Sequence, residues 1–473
     1  MTDTVLKMYS VGGIGWRLAE DGLKGVVEQF SHPKNKRRHY MVFDYHGGKV
    51  FIKSFLEEGF SGRVRHFLLP RGKIEFRTGS RLAALGILTP KVLGYGIGKN
   101  TSAVVTEYVD ARSFLDMIKK TALHDALYIL LAGLLKQLKM KHVRHNDLHL
   151  DNILMRDDRA CLIDLHKTKI KRSFNDADEI SNAAHAIGMI YDEISNNERD
   201  FFFKQYDCTE KVKEGIEKEI RRFKKDWITS KKKRAFKNTS VLSAADRCIH
   251  VRGTENEANG EFIAFIKKDK KVTVERYSDH IRKIYRYQRR LKTAWENHVV
   301  FAYLGSNAVP RPYYVKLPSL SSGGYIAMED MGYKGIELDR FLDGKYDTMT
   351  FNTKRAFINS LAFFLASLFR QRIGHRDMKA CNIFVLNDGR FVFLDIEDVV
   401  FGEIGEETLK KMLIQLNTTI PKRISVMDRM RFFCRISLPL AVDRKRLLKD
   451  VLRASLESDV VYEGVGGLVR ETW

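Results

Sequence analysis

Apolar and polar positions alternate in three short runs near the start of the chain, at 23–30, 40–45 and 49–55. A period of two predicts strands. His46-Gly47-Gly48, between the last two runs, predicts a hairpin, because a tight turn needs residues that tolerate left-handed backbone. The period lengthens to a helical one over 73–85. After Thr89-Pro90 a strand is expected at 103–108 and a long apolar helix at 124–141. The same succession returns after residue 240: strands at 248–252, 262–267 and 272–277, a helix at 293–304, Val309-Pro310, a strand at 325–329 and a helix at 355–371. Two copies of over 200 residues each indicate duplicated domains rather than a solenoid. The expected organisation is α+β, with domains at 1–237 and 238–473, each a small antiparallel sheet followed by a helical lobe.

Each long helix feeds the same string. The first copy reads His145-Asn146-Asp147-Leu148-His149-Leu150-Asp151-Asn152, then Cys161-Leu162-Ile163-Asp164. The second reads His375-Arg376-Asp377-Met378-Lys379-Ala380-Cys381-Asn382, then a strand ending at Asp395. From first Asp to Asn is 5 residues in both (147 to 152, 377 to 382); from Asp to Asp is 17 and 18 (147 to 164, 377 to 395). Phosphoryl transfer needs a base near the acceptor hydroxyl, oxygen ligands for a hard cation and a cation on the nucleotide phosphates. A lone His-x-Asp is usually a surface loop, and an Asp ending a strand is usually a turn residue. The ordered set, present twice, is neither.

The string resembles the catalytic and metal-binding loops of the protein-kinase superfamily. That resemblance implies ATP and Mg²⁺ as cofactors and Asp147 and Asp377 as catalytic bases. It implies Asn152, Asp164, Asn382 and Asp395 as metal ligands, with His145 bracing the first loop. Lys53 matches the lysine that holds the nucleotide phosphates, Glu75 its partner on the early helix, and Glu107 the strand end beside the adenine. Glu296 and Lys267 stand as the nucleotide-binding counterparts in the second copy. Neither copy has a G-x-G-x-x-G loop; the first carries the basic turn 31–39 and the second 253–260. Leu165-His166 and Ile396-Glu397 replace Phe-Gly, and no Ala-Pro-Glu follows. These departures exclude an ordinary protein kinase and point to small-molecule or glycolipid kinases. In the second copy Glu275 occupies the position expected of the lysine. A carboxylate facing phosphates is repulsive, so this copy is expected to be weakened or a pseudokinase unless Lys267 or Lys268 substitutes.

The run Val274-Glu275-Arg276-Tyr277, with Trp295-Glu296, Val309-Pro310-Arg311-Pro312, Met328-Glu329 and His375–Lys379, is similar to the bacterial lipopolysaccharide kinase family. The likeness is fuller over 246–435 than over 49–165. It implies phosphorylation of a heptose or Kdo sugar of the lipopolysaccharide inner core.

Composition bears on partners. Against 59 acidic residues stand 82 Lys and Arg, a net charge of +23, which suits a polyanionic partner. Between Arg276 and Lys292, seven residues are basic and one acidic; read as a helix, Arg282, Arg286, Arg289 and Arg290 share one face, which predicts contact with an anionic membrane surface. The stretch 218–237, with ten basic residues against two acidic, is expected to end the first domain as a connector. Its Phe223, Trp227 and Phe236 come without a nucleic-acid motif, so no nucleic acid is expected. Five scattered cysteines, without a Cys-x-x-Cys pair, fit a reducing compartment. With no signal-peptide pattern and no apolar run of about 20 residues, the expected place is the cytoplasmic face of the inner membrane, held peripherally. Two alternatives stay open: a cytosolic kinase of aminoglycoside or choline type, and a non-catalytic tandem pseudokinase.

Overall fold

The computed structural model describes residues 6–33, 37–120, 124–319, 323–437 and 442–473. It divides into two compact units, Met1–Arg222 and Phe223–Trp473. The division falls inside the helix Glu210–Lys233 and inside the connector expected over 218–237, upstream of the boundary expected after 237. The second half of that helix and the turn after it pack with the second unit. Trp227 stands edge-on to Tyr303, Phe236 joins the core under the second sheet, and the Ala235 carbonyl accepts from the Trp295 indole at 2.8 Å.

In the first unit β1 (Lys7–Val11), β2 (Ile14–Leu18), β3 (Arg38–Tyr45), β4 (Gly48–Leu56), β5 (Val92–Gly98) and β6 (Thr101–Glu107) form one antiparallel sheet, ordered β1-β2-β5-β6-β4-β3. The β3–β4 hairpin turns on His46 and Gly47, both at positive φ. The stretch 23–30 is not a strand. Leu23, Val26, Val27 and Phe30 recur at helical spacing and are all buried, so 23–28 folds as α1 (Leu23–Glu28) on the sheet. Between β4 and β5 lie α2 (Gly59–Leu68) and α3 (Arg71–Ala84). Gly72 lets α3 lie directly against β6, since a Cβ there would collide with the Ala103 backbone. The helical lobe follows, with the core helix His124–Met140 burying Leu127, Leu131, Leu134, Leu135 and Leu138. Each such side chain contributes roughly 1.5–3 kcal/mol by leaving water.

The second unit repeats the plan around a seven-stranded antiparallel sheet. Its order is Leu242–Ala245, Cys248–Val251, Pro312–Lys316, Gly324–Met328, Ile281–Tyr285, Val272–Tyr277, Phe262–Lys268. The basic amphipathic helix expected over 276–292 does not form. Residues Ile281–Tyr285 are a central strand, hydrogen-bonded to Val272–Tyr277 on one side and Gly324–Met328 on the other, and the helix begins at Gln288. Two paired neighbours satisfy the backbone of this β-branched and aromatic segment, which outweighs its weak helical periodicity.

Candidate active site

Backbone geometry places the two His-x-Asp loops before any side chain acts. The strand Val143–His145 runs into the first loop, where His145 is fully buried. One ring nitrogen faces the Ile163 carbonyl at 3.3 Å and the other accepts from the Asp147 N–H at 3.3 Å. Burial pushes its pKa down to about 4, so it braces the loop as a neutral ring. Asn152 donates through Nδ2 to the Asp147 carbonyl at 2.8 Å, and its own carbonyl accepts from Ile163 N–H. Asp164 then adopts a left-handed backbone at φ 57°, which turns its carboxylate back toward the sheet.

There it meets Lys53. Register on the sheet sets Lys53 opposite Val104, and its ammonium, 5 % exposed, bonds Glu75 of α3 at 3.0 Å and Asp164. Burial pulls the ammonium down, but the Glu75 and Asp164 carboxylates outweigh it, and its pKa lies above the ordinary lysine value. Asp147 bonds His149 at 2.9 Å and Lys167 at 2.5 Å. The His149 bond, opposed by burial and reinforced by Lys167, holds it well below the usual carboxylate range. Glu107 does not reach into the cleft; its carboxylate takes the Lys91 N–H at 2.9 Å and Arg156.

Glu75, Asp164 and His166 form a compact group of possible metal donors. Lys53 already occupies its centre as a cation. The donor set that suits a hard cation is instead the Asp164 carboxylate with the Asn152 side-chain oxygen, whose amide nitrogen is tied back to Asp147. Those two residues would hold Mg²⁺. When bound, the ion neutralises charge building on transferring phosphate oxygens.

The second unit carries the same loop. His375 spans the Leu394 carbonyl at 2.9 Å and the Asp377 N–H at 3.3 Å, Asn382 donates to the Asp377 carbonyl at 2.7 Å, and Asp395 is left-handed at φ 49°. Asp377 is paired with Lys379 at 3.0 Å.

The lysine, however, is neither Lys267 nor absent. Lys283, on the strand Ile281–Tyr285, lies opposite Ile326 as Lys53 lies opposite Val104, and bonds Asp395 at 2.6 Å. Lys267 sits on the edge strand, 60 % exposed beside Asp269 at 3.5 Å. Glu275 lies one strand away, accepting from the Tyr277 hydroxyl at 3.1 Å, so the expected repulsion with phosphate loses its basis. The expectation of a second copy weakened by Glu275 fails with it. Glu296 also misses the site; its carboxylate lies 3.8 Å from Lys292 on its own helix and also acts on the Lys232 ammonium. Lys283 takes its second carboxylate from Glu397, at 3.0 Å, which is held in turn by Tyr285 at 3.1 Å and Arg290 at 3.2 Å. Spacing could have revealed this lysine. From Lys53 to Asp164 is 111 residues and from Lys283 to Asp395 is 112. His166, Lys167 and Glu397 carried no comparable signal.

The comparisons with known proteins enter at this point. Residues 36–183 match the model of the lipopolysaccharide kinase (Kdo/WaaP) family, a span that contains Lys53, Glu75, Asp147, Asn152 and Asp164. The matched span lies wholly within the first unit and covers under a third of the chain. The chain is a kinase, and the match falls on the copy whose motif likeness was the looser one. No curated protein matches the chain by sequence. Among solved structures, WaaP in complex with acyl carrier protein aligns at 17 % identity over 43 % of this chain and 91 % of its own, with a TM-score of 0.34. WbdD bound to the kinase inhibitor LY294002 aligns at 15 % over 43 % of this chain and 51 % of its own, with a TM-score of 0.30. Likeness at that level adds nothing to the argument.

One buried group of the second unit has a measurable consequence. His298, fully buried on the helix Gln288–Leu304, has no hydrogen-bond partner for either ring nitrogen. Burial, and after it the Lys283 charge, push its pKa down to about 3 from 6.5. The unfolded chain therefore binds a proton that the folded one refuses between those values. His298 contributes its full stability above pH 6.5 and loses it as pH falls toward 3. Denaturant melts at pH 7 and 4.5 should show wild type losing a few kcal/mol more than His298→Leu. Equal losses would show that the imidazole is not buried as described.

Proposed function

We propose that the first unit transfers the γ-phosphoryl group of ATP to a sugar hydroxyl, heptose or Kdo, of the lipopolysaccharide inner core. The observation that carries this reading is the buried Lys53–Glu75–Asp164 triad inside the segment that matches the family. Lys53 holds the α- and β-phosphates. Asp147, ionised at neutral pH, orients the acceptor hydroxyl and accepts its proton as the oxygen bonds to phosphorus and the bond to the ADP oxygen breaks. A weakly basic carboxylate suffices because the transition state is loose and the proton leaves late. The second unit binds nucleotide through Lys283, Asn382 and Asp395 without performing this transfer. The acceptor is lipid-anchored, which places the reaction at the cytoplasmic membrane face; among the described residues no helix is long and apolar enough to cross a membrane.

The test offers purified inner-core lipopolysaccharide, an aminoglycoside and choline separately, with ATP and Mg²⁺, and maps product phosphate by ³¹P NMR. Phosphate on a core sugar is expected. Transfer only to the small molecules would replace this reading with that of a cytosolic small-molecule kinase.

A further inference from the structure

Helix α2 is built inside out. Its inner face presents Gly62 and His66: the Gly62 Cα faces Glu57, and the His66 ring lies 2.9 Å from the Gly98 carbonyl. Its outer face presents Phe60, Val64, Phe67 and Leu68, exposed by 86, 44, 84 and 65 %, and Leu69 continues the patch at 58 %. A surface helix ordinarily buries its apolar stripe and shows its polar one. Here the spacing i, i+4, i+7 is kept and the direction reversed. Several large apolar side chains gathered on ten residues are more than scattered surface hydrophobes and mark an interaction site.

The charges identify the occupant. The helix carries Arg63 and Arg65 and no carboxylate, and Arg71 follows at the start of α3. Of the two carboxylates just before it, Glu57 is buried and bonded by Arg65 at 2.6 Å and Arg71 at 2.9 Å, and Glu58 at the N-cap is half-exposed, 3.6 Å from Arg37. Arg63 points outward beside Val64. Aromatic and aliphatic side chains flanked by arginine, in a chain of net charge +23, complement a surface that is apolar beneath and anionic on top.

We propose that α2 docks the first unit on an anionic lipid bilayer, with Phe60, Phe67 and Leu68 entering the headgroup–acyl boundary and Arg63 meeting lipid phosphates. This gives the membrane-facing reading above a contact surface and rests on it only for location. Because α2 runs through Leu69 and Pro70 into α3, the helix that carries Glu75, the docked bilayer lies close in sequence to the Lys53 partner. Of the basic run at 276–292, Arg282 and Lys283 lie on the central strand, while Arg286, Arg289 and Lys292 are exposed.

The experiment is vesicle sedimentation of the full chain, without nucleotide or acceptor, so that failure of the acceptor assignment leaves it unaffected. Vesicles are 30 % phosphatidylglycerol in phosphatidylcholine, against phosphatidylcholine alone, at about 0.1 and 0.5 M salt. Wild type should bind the anionic vesicles at least ten-fold better than neutral ones and lose most of that binding in high salt. Phe60→Ser/Phe67→Ser and Arg63→Glu should each weaken it ten-fold or more with melting temperature unchanged, since these side chains are exposed. A Phe67→Trp variant should shift its emission to the blue on vesicles and be quenched by brominated lipid. No binding by wild type, or binding that survives Phe60→Ser/Phe67→Ser, overturns the proposal. An α2-dependent protein partner with no vesicle binding overturns it equally.

Discussion

Lys53→Met should lower phosphoryl transfer by about 10²- to 10³-fold, the cost of removing one preorganised cation from charge that develops in a water-poor site. The same substitution should destabilise the first unit by about 3–5 kcal/mol, because it strands Glu75 as a buried carboxylate without its counter-ion and leaves Asp164 with His166 and Arg38 alone. The two effects are separable. In Lys53→Met/Glu75→Gln one stranded charge is gone, so thermal stability should recover in part while transfer stays low. Steady-state kinetics beside calorimetry reads both. Recovery of transfer in the double variant would mean that Lys53 serves the fold and not the nucleotide.

The second large effect is expected in the other unit. Glu397 accepts from Lys283, Tyr285 and Arg290 while 4 % exposed, so Glu397→Ala removes the acceptor shared by the buried Tyr285, the nearly buried Lys283 and the partly exposed Arg290. The expected loss is again about 3–5 kcal/mol. For a unit of this size that lowers its melting temperature on the order of 10 °C. Glu296→Ala, which cuts a long i,i+4 pair at 3.8 Å and a longer-range attraction to Lys232, should cost under about 1 kcal/mol. Nucleotide titration adds a readout that a purely structural role leaves unmoved: Lys283→Met should lower Mg²⁺–ADP stoichiometry from two to one. If Glu296→Ala proves the more damaging substitution, the helix supplies the lysine's partner after all.

Much of this architecture was legible from pattern alone, for reasons the residues make plain. The hairpin at His46-Gly47, the core helix over 124–140 and the twin His-x-Asp strings are local: turn chemistry, periodicity and short spacing specify them without reference to the rest of the fold. Misreadings came where tertiary context decides. Residues 23–28 satisfy a strand pattern by eye, yet Leu23, Val26 and Val27 bury one helical face. Ile281–Tyr285 reads as the start of a basic helix until two neighbouring strands claim its backbone. Taking 272–277 as the lysine-bearing strand sets Glu275 where Lys283 belongs, because the lysine lies one strand later, on Ile281–Tyr285. Glu397 was unreadable because its role depends on three donors that converge only in space. Of the turn expected over 31–39, residues 34–36 lie outside the described residues.

The central claim is that the first unit performs the transfer. Its most direct test is the rate at which labelled phosphate moves from γ-³²P-ATP to purified inner-core lipopolysaccharide, compared for wild type, Asp147→Asn and Asp377→Asn. Loss of the base should cost about 10²- to 10⁴-fold. The account predicts that loss for Asp147→Asn and near wild-type transfer for Asp377→Asn. Transfer that survives Asp147→Asn and disappears with Asp377→Asn would contradict it and place the chemistry in the second unit.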